Sequence, residues 1–317
     1  MAQQVDQTTL DKIVAAAAPG AHLVATHTYS GGLESITMLL EFAADPPLVA
    51  RVYPRADQRD GVAARRYWDA ITALASSDLP VPAPVYLDAT GQLVGVPVLV
   101  ITRVPGEPSP PPTDRAAWIA ELATGLARIH TIDVAALPST FRRSEAPVDH
   151  VARLVRRHES GISGPLGVAV VETLVRVAPR VEMRHANLIH GDYWFGNTLW
   201  SDGAGPSPRL SGILDWSAAR IADPGFDLAA SRMDLAIVLG GDADEQFRAR
   251  YLERHPAPRE QTFWDLVVGI AGLALADDWV PTYHALGWTH LTSHAVRARL
   301  ETFVRRALAD VDNGARA

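Results

Sequence analysis

LIHGDYWFGNTLW, residues 188–200, decides how the chain is read. It opens on an apolar pair, Leu188 and Ile189, and closes on Thr198, Leu199 and Trp200, so both ends read as short strands. Between them stand His190, Asp192 and Asn197, polar groups that cost free energy to bury without partners. A segment that carries them between two strand-like runs presents them at a cleft, on a loop held by its flanks.

Downstream, ILDW (213–216) ends a strand-like run at Asp215, and DPGFD (223–227) adds Asp223 and Asp227. An aspartate and an asparagine separated by a short loop, with a second aspartate at the end of a nearby strand, can form a set of hard oxygen ligands. Such ligands suit magnesium, which keeps several waters and leans on one or two carboxylates plus substrate phosphates. Asp192 is then left to orient a nucleophilic hydroxyl and accept its proton. That division of labour is what phosphoryl transfer needs.

Outward from this centre the chain falls into two halves of different pattern. Residues 8–18 read as an Ala-rich helix stopped by Pro19 and Gly20. HLVATHTY, ITMLLEF and LVARVY, separated by Gly or Pro turns, read as an antiparallel meander. From Asp57 to Ala75 the apolar residues Ala64, Tyr67, Trp68, Ile71 and Leu74 recur at helical spacing. VPAPVYLD, QLVGVPV and LVITRV read as further strands. PGEPSPPPTD (105–114) denies the backbone both helix and ladder and sets the expected boundary, giving lobes 1–104 and 105–317. Beyond it, Thr113 or Asp114 caps a helix running to His130, helices follow over 148–157 and 168–176, and the central stretch forms a hairpin-like region through RLSGILDW. From Phe226 onward the pattern is almost wholly helical.

Composition bounds the partners. Over 317 residues, 48% are apolar and 21% charged, the balance of a folded globular protein. A formal net charge of -7 argues against nucleic-acid or anionic-membrane partners, which call for a concentrated basic face. There is no cysteine, hence no disulfide, thiolate metal site or cysteine nucleophile. MAQQVDQTTLDK lacks the pattern of a signal peptide, and the apolar run 266–276 is too short to cross a bilayer, so a cytoplasmic protein is expected. No obligate protein partner is evident.

HGDYWFGN, then ILDW followed by DPGFDLA, resemble the aminoglycoside phosphotransferase and choline kinase-like enzymes, small-molecule relatives of the protein kinases. LARIH, DLPVPAPV and ITRVPGE are supporting matches, and together they span about residues 30–230. The resemblance implies an α+β, bilobal protein kinase-like fold with a β-rich N-lobe, a mostly helical C-lobe and nucleotide between them. It implies a kinase using ATP or GTP with Mg2+ to phosphorylate a small-molecule hydroxyl acceptor, an antibiotic such as an aminoglycoside or macrolide, or a metabolite. Asp192 resembles the catalytic base, with His190 bracing its loop, and Asn197 and Asp215 resemble the magnesium ligands. YSGGLES, with Gly31, Gly32 and Ser35, sits where the family covers the phosphates, and Thr102 and Val104 sit at its hinge. Asp223 and Asp227 resemble structural residues that tie the loop after Asp215 to the next helix.

Two positions depart from the pattern. Where kinases commonly place a lysine on the third strand, this chain has Arg51; its one lysine, Lys12, lies before the glycine turn. Arginine keeps the charge and pairs with phosphate oxygens. The following helix offers no glutamate to brace it, leaving Asp69 or Asp60. On the acceptor side, Asp277, Asp278, Trp279, Tyr283, His284 and Trp288 suggest an acidic and aromatic wall. Two other classes compete: a kinase-like nucleotide-binding protein without catalysis, and a metal-dependent hydrolase using His284, His290 and His294, which lack a ligand pattern.

Overall fold

The computed structural model describes residues 5–29, 35–108, 111–138, 141, 145–159, 162, 164–182, 187–202 and 208–314. They fall into two compact units, Met1–Gly106 with Ser211–Ala219, and Glu107–Leu210 with Arg220–Ala317. The first unit therefore takes back nine residues from the middle of the chain, which a single cut near residue 104 does not express.

In the first unit, α1 (Gln7–Ala17) begins where the Asp6 carboxylate accepts the Thr9 amide at 2.7 Å. Five strands follow, interrupted by α2 (Val62–Leu74): β1 (Leu23–Tyr29), β2 (Ile36–Phe42), β3 (Leu48–Val52), β4 (Pro84–Asp88) and β5 (Val98–Thr102). They form one antiparallel sheet in the order β1-β2-β3-β5-β4. Side chains alternate across a strand. Met38, Leu40 and Phe42, Leu48, Ala50 and Val52, and Val98 and Val100 accordingly share one face, closed by Leu10 and Ile13 of α1. Arg51, between Ala50 and Val52, is turned to the opposite face, where Tyr67 of α2 lies.

One strand expected from the sequence is absent. QLVGVPV (92–98) is a turn up to Val98, because the Asp88 carboxylate gathers the amides of Thr90, Gly91 and Leu93 at 2.7–3.0 Å. Gly91 and Gly95 stand at φ 74° and 85°, a left-handed conformation no strand tolerates.

The second unit runs through β6 (Glu107–Pro108), α3 (Arg115–His130), α4 (Pro147–His158), α5 (Gly164–Val177), β7 (Asn187–Ile189), β8 (Thr198–Asp202), β9 (Pro208–Ile213) and β10 (Arg220–Ala222). β9 crosses into the first unit at Ser211. Four helices complete it: α6 (Gly225–Val238), α7 (Ala243–Leu252), α8 (Gln261–Ala285) and α9 (Ser293–Gly314). Asp114 caps α3 by accepting the Ala117 amide at 3.0 Å. β7, expected in a hairpin with the strand after it, pairs antiparallel with β10 instead.

A buried arginine ties the last four helices. Arg232 of α6 donates to Asp265 of α8 at 2.6 Å and to Glu245 of α7 at 2.5 Å, and Asp244 of α7 also pairs with Arg306 of α9. Burying these charges is tolerable because each meets an opposite one. An antiparallel sheet with one main helix in one unit and a largely helical second unit make the α+β organisation expected from the sequence. No helix among the described residues is long and apolar enough to cross a membrane.

Candidate active site

In the second unit the stretch HGDYWFGN leaves the end of β7 and turns at Gly191, whose φ of 83° suits glycine. His190 is fully buried, and its Nδ1 accepts the Asp192 amide at 3.3 Å, so the ring braces the loop from inside. Asp192 is exposed. Its backbone oxygen and its Oδ2 both accept from Nδ2 of Asn197, at 2.9 and 2.8 Å. Two acceptors on one side assign the nitrogen of that amide and leave its Oδ1 directed elsewhere. The chain thus presents, five residues apart, an exposed carboxylate and an oriented carbonyl oxygen, the latter a hard oxygen donor of the kind magnesium accepts.

The loop is held by a polar stripe on α6. Asp227 is fully buried; Oδ2 accepts the His190 amide at 2.7 Å and Oδ1 the Gly191 amide at 2.9 Å. One turn on, Ser231 donates to the Tyr193 carbonyl at 2.7 Å. A further turn on, Asp234 accepts from the Tyr283 hydroxyl at 2.9 Å, and the Tyr283 ring meets those of Trp194 and Phe195. From the other side the Tyr193 hydroxyl donates to the Leu122 carbonyl of α3 at 2.9 Å. Burial alone would raise the Asp227 carboxyl, but the His130 hydrogen bond, with the charge of Arg220, holds it below the usual carboxylate range.

Asp227 therefore departs from the expected role. It does not tie the loop after Asp215 but holds the loop before Asp192, because from the first turn of α6 its side chain reaches the end of β7. Asp223 behaves as a cap, accepting the Gly225 amide at 2.8 Å. The polar stripe was detectable in principle: Asp227, Ser231 and Asp234 recur at spacings of four and three inside GFDLAASRMDLAIV, an otherwise mostly apolar helix.

In the first unit Arg51 is buried, and its Nη2 donates to Asp215 Oδ2 at 3.0 Å while Nε donates to Ser35 Oγ at 3.1 Å. The guanidinium lies 4.9 Å from the Tyr67 ring centre, and the Tyr67 hydroxyl accepts the Asp215 amide at 3.1 Å. Burial would lower the Arg51 pKa, yet Tyr53, Asp215 and Tyr67 drive it well above the ordinary value, so the charge is permanent. Asp215 is the first unit's one non-glycine residue at positive φ among the described residues, at φ 61°, and Ser217 donates to its Oδ1 at 2.9 Å. An acidic oxygen donor set on a strained turn, with its charge partly matched by Arg51, fits a site that exchanges an internal ion pair for a cation and phosphate.

The carboxylate that meets Arg51 is thus Asp215, and neither of the two candidates on or before α2 takes that place. Asp60 accepts the Val62 amide at 3.1 Å where α2 begins, and Asp69 is half-buried near Arg65. Ser35, Arg51 and Asp215 come together; Thr102 does not join them, since its hydroxyl accepts the Ala83 amide at 2.8 Å at the far end of β5 from Leu99, the partner of Arg51. Val104 follows β5, half-buried. Gly31 and Gly32 lie outside the described residues.

The suggested acceptor wall divides: its two buried rings, Tyr283 and Trp288, belong to the core, while Asp277, Asp278 and His284 are exposed and Trp279 is half-buried. Tyr283 and Trp288 are buried against Phe195, and Trp118 stacks with Trp200 behind them. Asp277 pairs with Arg297 at 2.5 Å. His284 Nε2 is bound to the Leu291 carbonyl at 2.7 Å, so that ring nitrogen is engaged with the backbone. Among the described residues no group of three or more His, Cys, Asp or Glu side chains is arranged to hold a metal.

The fold is that of the kinase-like phosphotransferases. The chain belongs to the phosphotransferase enzyme family APH, whose family model matches residues 26–262. It is 31% identical over 218 residues to viomycin phosphotransferase of Streptomyces vinaceus, covering 62% of this chain and 71% of that protein. It is 23% identical over 248 residues to mouse (Mus musculus) acyl-CoA dehydrogenase family member 10, covering 74% of this chain but 23% of that protein, so it spans about a quarter of that relative's length. The solved GDP and kanamycin complex of APH(2")-IIia superposes with a TM-score of 0.66 at 16% identity, covering 96% of this chain and 99% of that one, which shows the shared fold.

Proposed function

We propose that this protein transfers the γ-phosphoryl group of ATP or GTP to a hydroxyl of a small molecule, in the cytoplasm and without an obligate protein partner. The observation that carries the reading is the Asp192–Asn197 pair, in which the amide nitrogen is held by two Asp192 oxygens, leaving the amide oxygen directed away and the exposed carboxylate kept in place. Asp192 accepts the proton of the acceptor hydroxyl as that oxygen bonds to the γ-phosphorus, the bridging P–O bond breaks and the nucleoside diphosphate leaves. Asn197 and Asp215 are the magnesium ligands; magnesium, when bound, neutralises charge on the phosphates. Arg51 pairs with phosphate oxygens, Ser35 with Gly31 and Gly32 lines the phosphate-covering turn, and Thr102 and Val104 flank the base. The acceptor class is an antibiotic such as an aminoglycoside or macrolide, or a metabolite; the relative named viomycin phosphotransferase supports the antibiotic side of that reading.

The test is ADP and GDP release with magnesium and each nucleotide across a panel of aminoglycosides, viomycin, macrolides, amino alcohols and sugars. Turnover stimulated by one acceptor class supports the reading and names the class. Nucleotide binding with no stimulation by any acceptor favours the alternative, a kinase-like nucleotide-binding protein without catalysis. No nucleotide binding overturns both.

Arg51→Ala is expected to weaken nucleotide binding roughly tenfold to a hundredfold, the range for losing hydrogen bonds to a charged group. Calorimetric titration with a non-hydrolysable ATP analogue and with GDP reads this directly. Arg51→Lys should recover part of the loss, because the ammonium keeps the charge but cannot bridge Ser35 and Asp215 together.

Asp234 gives a second expectation. Burial pushes its carboxyl up to about 7, against the pull of the Tyr283 hydrogen bond. A carboxyl raised above its unfolded value opposes folding once it must ionise, so the penalty is absent below about pH 4 and complete above about pH 7. Asp234→Asn keeps an acceptor for Tyr283 and removes that penalty. It should therefore raise the melting temperature by several degrees at pH 8, on the order of 2 kcal/mol after allowance for partial exposure, and by much less at pH 5.

A further inference from the structure

Behind the loop that carries Asp192, the second unit contains a chain of hydrogen bonds that the proposed reaction does not use. His130, at the end of α3, is buried, with Nε2 3.4 Å from Asp227 Oδ2 and Nδ1 2.8 Å from the Tyr251 hydroxyl of α7. The Tyr251 oxygen is in turn 2.7 Å from Nδ1 of His255, which is also 3.0 Å from the Pro256 carbonyl. His255 Nε2 lies 3.3 Å from Nδ2 of Asn187, and the same Nδ2 donates to the His130 carbonyl at 2.6 Å. Asn187 is the first residue of β7, three residues before His190.

The partners assign the protons. A carbonyl facing His255 Nδ1 requires a hydrogen on that nitrogen, so Nε2 is the acceptor for the Asn187 amide. Nδ1–H then serves the Tyr251 oxygen as well, and the Tyr251 hydrogen goes to His130 Nδ1. His130 Nε2 is left as the donor to Asp227. Every bond in the chain points the same way, from half-buried His255 to the buried carboxylate that holds the His190 and Gly191 amides, and aligned chains of this kind reinforce each bond. Burial, with the charges of Asp227 and Asp223, raises the Tyr251 phenol, which keeps its proton available for donation.

We propose that Tyr251 and His255 are positioning residues for the Asp192 loop: through His130 they orient Asp227, and through Asn187 they anchor the strand that enters the loop. The inference rests on the reading of Asp192 as the base only for its effect on turnover; its effect on the loop stands apart from that reading.

The experiment uses the full-length chain and two variants, Tyr251→Phe and His255→Ala, with His255→Asn as the conservative replacement that retains a donor near the Nδ1 position. Amide hydrogen exchange over residues 188–192 is expected to quicken about tenfold in Tyr251→Phe and His255→Ala and to return toward the parent rate in His255→Asn. With the acceptor found in the panel, kcat should fall about five- to tenfold while KM for nucleotide and acceptor changes less than twofold, since neither residue touches a substrate. Should Tyr251→Phe fail to fold, His255→Ala, at the half-exposed end, carries the same test. Unchanged exchange at 188–192 in the folded variants overturns the proposal. A parent protein without turnover would overturn the kinase reading, and the exchange rates would still decide this one.

Discussion

Asp192→Ala is expected to lower acceptor-stimulated turnover about a thousandfold, the middle of the range for removal of a positioned general base, and to leave the melting temperature within about 2 °C of the parent. The small thermal effect follows from exposure: Asp192 is on the surface, where the hydrogen bond from the Asn197 side chain to its Oδ2 contributes little. The bond from the same amide to the Asp192 backbone oxygen survives, so Asn197 keeps its orientation. Nucleotide affinity should change little. Asp192→Asn, which retains the shape without the basicity, should be as inactive as the alanine variant. Retention of turnover to within tenfold in either would remove Asp192 from the role of base.

The second large effect is on stability. Asp227→Ala removes the acceptor of three donors at once, the amides of buried His190 and half-buried Gly191 and the buried His130 ring, and is expected to destabilise the protein by about 3–5 kcal/mol. Chemical denaturation of parent and variant measures the difference. The effect has a definite dependence on pH. Because the folded-state carboxyl is held below its ordinary value, its contribution is complete above the unfolded value near 4 and disappears as pH falls through the folded value. Asp227→Asn, which cannot ionise, should differ from the parent near neutrality and converge with it under strong acid. A constant difference across that range would show that the carboxylate charge is not what holds the loop.

How much of this was legible in the sequence depends on whether a residue's partner is nearby along the chain. The meander read correctly because period-two alternation is local: Met38, Leu40 and Phe42 declare a buried face without reference to anything distant. The caps at Asp6 and Asp114 are local for the same reason. QLVGVPV misled because its apolar residues resemble a strand while the deciding group, the Asp88 carboxylate, lies four to ten residues earlier and acts on backbone amides. Arg51 was singled out, but its carboxylate partner stands 164 residues away, so no helix-spacing argument could choose it over Asp60 or Asp69. The stripe of Asp227, Ser231 and Asp234 was visible as a pattern, yet which loop it grips depends on where β7 ends. His255 carried no local sign at all.

The return of Ser211–Ala219 to the first unit bears on how the protein is made. As the chain emerges from the ribosome, everything up to Gly106 is available long before Asp215 and Trp216 are, a delay of roughly ten seconds at ordinary rates of synthesis. During that interval Arg51 is a nascent cation without its carboxylate, and the sheet lacks the segment whose Ile213 amide binds the Pro80 carbonyl at 2.8 Å. The amino-terminal unit is thus completed only after about half of its neighbour has been translated. A gene fragment ending at Gly106 would encode an unfinished body, whereas one extended through Ala219 would supply its missing piece.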